Sequence, residues 1–357
     1  MTYIFISLFV SIVALTSYKK KWTGLFITIL LLFLLMFRGD DVGHDTKAYI
    51  DPHYMFVRVN QSMDLSTDEI NTSTYGRDIE LISNKIFEWV YYSDLPPRFV
   101  LYFYAIITIV FLYFAFKRYR INIALGMMFY VLLGLFYFSM TAVRQMAAVS
   151  VVAFAISYIF DTDKKKYLFF LFILLATLIH ASSLFFIWLY FLRSVKVSRE
   201  MVITVSAVIC VVFTLFPIDF MGIIYSITHM SYITSYKGQY DSTEKPIFAS
   251  IIGLIILAYY YYWLLIKNKE TKTDLYDNLF LLAVLLSSLF SSHSILLSRI
   301  NFFVTIFMCV FLSKEMVEKR FNKNEEMKFV TCIFVLLKIY MSKDWNSMLD
   351  SNYYLMF

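Results

Sequence analysis

The sequence predicts an all-α polytopic membrane protein, on three observations. Of its 357 residues, 60% are hydrophobic and only 16% charged, against about 25% charged in soluble domains. The hydrophobic residues gather into runs near the length of roughly 20 residues that crosses a bilayer. The gaps between runs hold Lys- and Arg-rich clusters, the pattern of loops retained in the cytoplasm. An aromatic share of 20% suits many membrane–water boundaries, where Tyr and Trp settle. The net charge of +6 therefore reports topology and not a nucleic-acid surface.

The apolar runs are 3–18, 22–37, 98–116, 121–140, 143–160, 167–192, 201–216, 247–266, 276–291, 294–312 and 327–341. The first is followed, not preceded, by its basic cluster Lys19-Lys20-Lys21 and has no small-residue cleavage site, so it reads as a retained span with its N-terminus outside. Clusters at Lys164 to Lys166 and at Arg193, Lys196 and Arg199 flank run 167–192. Both can face the cytoplasm only if that run crosses an even number of times. Its 26 residues suffice for a short hairpin with arms of about 18 Å each, turning near Ile179-His180-Ala181-Ser182-Ser183. The alternative is one long tilted span that breaks the charge rule once. The hairpin reading predicts about 12 crossings, two of them short, with both termini outside, in a single membrane domain over 1–357.

Two outer segments are long. The first, 38–97, carries eleven acidic residues against five basic ones. Within it Ile79, Ile82, Ile86 and Val90 form one stripe, with Trp89, Tyr91 and Tyr92 beside it, predicting an amphipathic helix along the outer interface. The second, 217–246, is Tyr-rich. Cys210, Cys309 and Cys332 are isolated within apolar runs and read as buried thiols. No tandem repeat is present, and neither a P-loop nor a GxGxxG, HExxH or GxSxG motif.

Position singles out the candidate site. Arg38, Arg144, His180 and Arg299 fall at the outer ends of membrane segments, where an outward anion-binding cavity would need them. Arg offers a fork of donors that matches phosphate and carboxylate bidentately, which Lys does not. Each also has a plainer reading. Arg38 can end the second span and snorkel to headgroups, and His180 can be a satisfied buried histidine. Arg144 is the one charge between Arg120 and Asp161, and ionisable groups at such depth are by default functional. Arg299 lies just inside a span after Ser291-Ser292-His293. Between Phe37 and Tyr49, two glycines and three aspartates predict a structured turn. Asp40, Asp41, His44 and Asp45 are oxygen and nitrogen donors in a spacing that matches no metal loop; Asx turns and a salt bridge to Arg38 are expected instead.

Four of these stretches resemble the polysaccharide polymerases of the EpsG/Wzy type. "FRGDDVGHDTKAYI" is similar to that family's Arg, Val-Gly-x-Asp-Thr and Tyr after the second span. "TAVRQMAAVSVVAFA" resembles its Arg-Gln-x-x-Ala helix start, "LIHASSLFF" its His-x-Ser stretch and "SRINFFV" its late Arg-bearing span, all in the family's order. The family's Gly followed by Tyr or Phe in the first outer loop is replaced by Ile79-Glu80, and no role is carried to that segment. The resemblance implies a metal-independent membrane glycosyltransferase with a GT-C-like helical fold and without cofactor. It would join undecaprenyl-diphosphate-linked oligosaccharide repeats of O-antigen, capsule or exopolysaccharide at the outer face of the bacterial inner membrane. Lipid-linked oligosaccharides, the bilayer and a chain-length regulator are the implied partners, with no nucleic acid. His180 would be the base, with Arg144 and Arg299 stabilising diphosphate. Arg38, Asp40, Asp41, Asp45, Tyr49 and Gln145 would bind substrate. A ligase or acyltransferase using the same outward groups remains a rival, as does a flippase, which should show paired broken helices in repeats; run 167–192 has no counterpart.

Overall fold

The computed structural model describes residues 2–43, 46–61, 80–159, 165–194, 204–205, 208, 278–279, 282 and 295–317. Every regular element among them is helical: α1 Thr2–Ser17, α2 Thr23–Met36, α3 Thr46–Ile50, α4 Pro52–Gln61, α5 Leu81–Tyr92, α6 Phe99–Arg118, α7 Ile123–Leu132, α8 Leu135–Thr141, α9 Val143–Ile156, α10 Lys166–Ile179, a 3₁₀ helix Ala181–Ser194, and α11 Ile295–Val317. The chain divides into two compact units, Met1–Tyr190 with Leu312–Phe357, and Phe191–Phe311.

In the first unit α9 is the inner element. All its side chains are buried except Arg144 and Phe154. Small residues at Ala147, Ala148, Ser150 and Ala153 let neighbours approach closely, and α6 and α10 pack against it most extensively. α7 is buried from Ala124 through Leu132. There Gly126 is required by space, since a Cβ would lie 2.7 Å from the Phe116 ring. Loop 37–43 reaches the same core at Gly43, whose φ is +89° and whose added Cβ would stand 2.0 Å from the Met140 carbonyl oxygen. Any other residue there meets both a backbone penalty and an immovable carbonyl.

The apolar runs within the described residues are helices as expected, with two differences. Run 121–140 is not one continuous helix. It breaks after Leu132 into α7 and α8, bent by 63°, because Gly134 takes φ +87°, which ends a right-handed helix. Among the described residues α6 is long and apolar enough to cross a membrane, as is the bent α7–α8 pair taken together. α1, α2, α9 and α10 have 14 to 16 residues, about 21–24 Å of helix. Runs 201–216, 247–266, 276–291 and 327–341, and outer segment 217–246, fall wholly or mostly outside the described residues, as do Cys210 and Cys332. Cys309 is a buried free thiol.

Run 167–192 folds back on itself. α10 ends at Ile179, His180 is extended (φ −155°, ψ 116°), and the 3₁₀ helix returns so that the Tyr190 ring meets those of Phe169 and Phe170 at 5.7 and 5.1 Å. A continuous helix would hold those residues about 30 Å apart. The return arm is 14 residues long, well beyond the usual three or four for 3₁₀ geometry. α5 forms where the apolar stripe placed it, but rotated: Ser83, Phe87 and Val90 are buried, while Ile82 and Ile86 are only half-buried. Phe87 stacks on Tyr49 at 5.7 Å and Ser83 bonds the α10 end, and these contacts set the rotation.

Candidate functional site

Four separate elements deliver polar side chains to one place. Tyr49 comes from α3, Arg144 from the second position of α9, His180 from the break after α10, and Glu80 from the residue before α5. Glu80 joins the others. Its Oε2 accepts from Arg144 Nη1 at 2.9 Å. Its Oε1 lies 2.9 Å from His180 Nδ1 and accepts from the Ala181 backbone N–H at 3.0 Å. Arg144 Nε donates to the Tyr49 hydroxyl at 2.8 Å. The side chains are 17% (Glu80), 25% (Arg144) and 27% (His180) exposed, so the cluster is sheltered yet reachable.

The electrostatics follow. Burial alone would raise the Glu80 pKa, but the His180 hydrogen bond, the Arg144 charge and the Ala181 N–H together outweigh it, lowering it from 4.5 to about 2. Glu80 is therefore a carboxylate throughout the physiological range. An ionised carboxylate only accepts, so the proton of neutral His180 sits on Nδ1 and the lone pair on Nε2. That is the tautomer a base needs.

Of the other expected site residues, Tyr49 joins the cluster through Arg144, while Arg38, Asp40, Asp41 and Gln145 make other contacts or are buried in helices. Arg38 does not snorkel to the surface. Its side chain is buried, 1% exposed, with Nη1 donating to the Leu35 carbonyl at 2.7 Å and Nε to Thr46 Oγ1 at 3.2 Å. Of the aspartates expected to pair with Arg38, Asp40 pairs with Arg98, which donates to the Arg38 carbonyl as well, and Asp41 pairs with Lys47 at 2.6 Å, while Asp45 lies outside the described residues. Arg98 stands at the N-cap of α6, within reach of both Asp40 and the Arg38 carbonyl. Tyr49 is 4% exposed and holds Arg144. Gln145 is buried within α9. His44, Asp45, Ile79 and the Arg299 side chain lie outside the described residues, although the Arg299 backbone belongs to α11. Among the described residues no group of three or more His, Cys, Asp or Glu is arranged to hold a metal ion.

Glu80 is the residue that sequence reasoning passed over. It was one of eleven acids in a long loop, and its partners lie 64 and 100 positions away. The one available signal was its place at the start of an amphipathic helix.

Among the described residues the elements are all helices, and they gather a sheltered Arg–Glu–His cluster at helix ends. The chain belongs to the EpsG family, whose sequence model matches residues 2–356. Members of that family are membrane proteins associated with glycosyltransferase-like polysaccharide polymerase activity on lipid-linked oligosaccharides. No curated protein and no solved structure matches the chain.

Proposed function

We propose that the protein polymerises glycan repeats carried on undecaprenyl diphosphate at the outer face of the bacterial cytoplasmic membrane, with His180 as base. The observation that carries this reading is the 2.9 Å contact of His180 Nδ1 with a Glu80 carboxylate whose other oxygen holds Arg144. In the reaction the acceptor sugar hydroxyl attacks the donor's anomeric carbon and passes its proton to His180 Nε2. The bond from that carbon to the diphosphate oxygen breaks, and the diphosphate leaves with the electron pair. The Arg144–Glu80–His180 cluster has no net charge while His180 is neutral. Taking up the proton makes it +1 just as the leaving group becomes an anion, which favours the charge-separated transition state.

Arg144 Nη2 has no hydrogen-bond partner among the described residues, and its two N–H groups suit a phosphate oxygen. Arg299 keeps its assignment to diphosphate on the family resemblance alone. Arg38 acts at one remove: it bonds Thr46, one turn before Tyr49 on α3, and Tyr49 in turn bonds Arg144. Asp40 and Asp41 shape the loop through Arg98 and Lys47, and Asp45 and Gln145 remain assigned to sugar or loop contacts.

The test is purified enzyme with synthetic lipid-linked repeats. His180→Ala and His180→Gln should each lose about 10²–10⁴ in turnover while the protein still reaches the membrane. In cells carrying either variant, lipid-linked single repeats should accumulate outside. Near-normal polymer from the Gln variant removes His180 as base, and accumulation inside points to a flippase.

A further inference from the structure

We propose that Ser83 is a positioning residue for the His180 base, forming with Glu80 a clamp on the hairpin break; the inference rests on the reading of His180 as base. Three consecutive residues of the break are gripped by Glu80, at the N-cap of α5, and by Ser83 in its first turn. Ser83 Oγ donates to the Ile179 carbonyl at 3.0 Å, Glu80 Oε1 meets His180 Nδ1 at 2.9 Å, and the same oxygen accepts the Ala181 N–H at 3.0 Å. Residues three apart share a helix face, so one orientation of α5 fixes all three contacts.

Both residues forgo their usual local partners. Glu80 occupies the N-cap position of α5 yet makes no side-chain bond to that helix. Helical Thr28, Thr108, Ser150 and Thr177 each bond the carbonyl four residues back in their own helix. Ser83 instead bonds a carbonyl 96 positions away. That carbonyl belongs to the last residue of α10, where a helix end leaves acceptors without intrahelical donors. Satisfying it holds α10 at Ile179 and lets His180 depart into its extended conformation. Ser83 is fully buried, so it acts through His180 and does not touch substrate.

The test compares Ser83→Ala, and the volume-conserving Ser83→Cys with its weak donor, against wild type. Full-length protein in nanodiscs is followed by site-resolved amide exchange without substrate and by polymerisation kinetics. The clamp predicts that Ser83→Ala speeds exchange at the Ala181 amide about tenfold. It also predicts a kcat lower by about tenfold with KM within about twofold, since an ångström of misplacement can cost about a hundredfold. Ser83→Cys should fall between. Unchanged exchange and kcat in Ser83→Ala overturn the proposal. So does a loss of kcat accompanied by faster exchange throughout α9 and a lower melting temperature, which would mark general destabilisation. If His180→Gln remains active, the base reading fails by itself, and Ala181 exchange still decides whether the clamp exists.

Discussion

Replacing Glu80 with Gln probes the cluster most directly, because a single carboxylate serves three donors from two elements. An amide offers one oxygen and one NH₂. With its oxygen toward His180 and Ala181, its NH₂ confronts the Arg144 Nη1 donor. With the amide reversed, the NH₂ faces His180 Nδ1, forces the imidazole proton onto Nε2 and blocks the base. At an effective dielectric of about 20, opposite charges about 4 Å apart attract by about 4 kcal/mol. A quarter of the Arg144 side chain is exposed, and solvent screening reduces the loss to about 1–2 kcal/mol of stability. Catalysis should suffer more, by about 10²–10⁴ in kcat, as when a carboxylate that sets a histidine tautomer is made an amide. Glu80→Asp keeps the charge but is one methylene shorter, cannot span both partners and should recover only part of the rate. The assay is polymer formation from synthetic lipid-linked repeats, alongside thermal unfolding. With a pKa of about 2 against an ordinary 4.5, Glu80 contributes its full stabilisation above about pH 4.5 and loses it as pH falls towards 2. The melting-temperature gap between wild type and Glu80→Gln should therefore be steady through neutral pH and narrow below about 4.5. Polymerisation by Glu80→Gln within about threefold of wild type would refute the tautomer argument.

Arg144→Ala should cost about 10²–10³ in turnover, and Lys should rescue only partly because it cannot hold Tyr49, Glu80 and a phosphate with one planar fork; full activity with Ala would return Arg144 to a structural role. Gly43→Ala should sharply lower the yield of folded protein, by about 1–3 kcal/mol or more, since a Cβ meets the Met140 carbonyl at 2.0 Å; normal unfolding behaviour would contradict the packing of loop 37–43. Cysteines at 165 and 196 should both be reached by a membrane-impermeant thiol reagent only from the cytoplasmic side, as the folded-back hairpin requires; labelling of the 196 site from outside would place the hairpin across the membrane as a span.

The elements were legible wherever a local signal existed. Apolar runs 3–18, 22–37, 98–116 and 143–160 became α1, α2, α6 and α9 because hydropathy is carried by neighbouring residues. The even-crossing argument at run 167–192 located a break, and His180 stands at it. The continuous helix expected at 121–140 is broken by one backbone angle, at Gly134, inside an otherwise uninterrupted apolar pattern. The α5 stripe was displaced by about one position because Ile82 and Ile86 fit the period equally well, and the contacts of Ser83 and Phe87 with distant chain segments chose the rotation.

By itself the sequence determined the class of protein, the places of its helices, the glycine-bearing loop and the standing of Arg144 and His180 as isolated polar groups among apolar neighbours. Each of these is a property of a short stretch, or of a resemblance written in short motifs. Tertiary structure alone decided that Glu80 joins Arg144 to His180, that Arg38 is buried against Thr46 and Leu35, and that Asp40 belongs to Arg98. An ion pair leaves no periodic trace in the chain. Its partners here lie 58 to 100 positions apart, and only the packing of helices around α9 brings their charges within hydrogen-bonding distance.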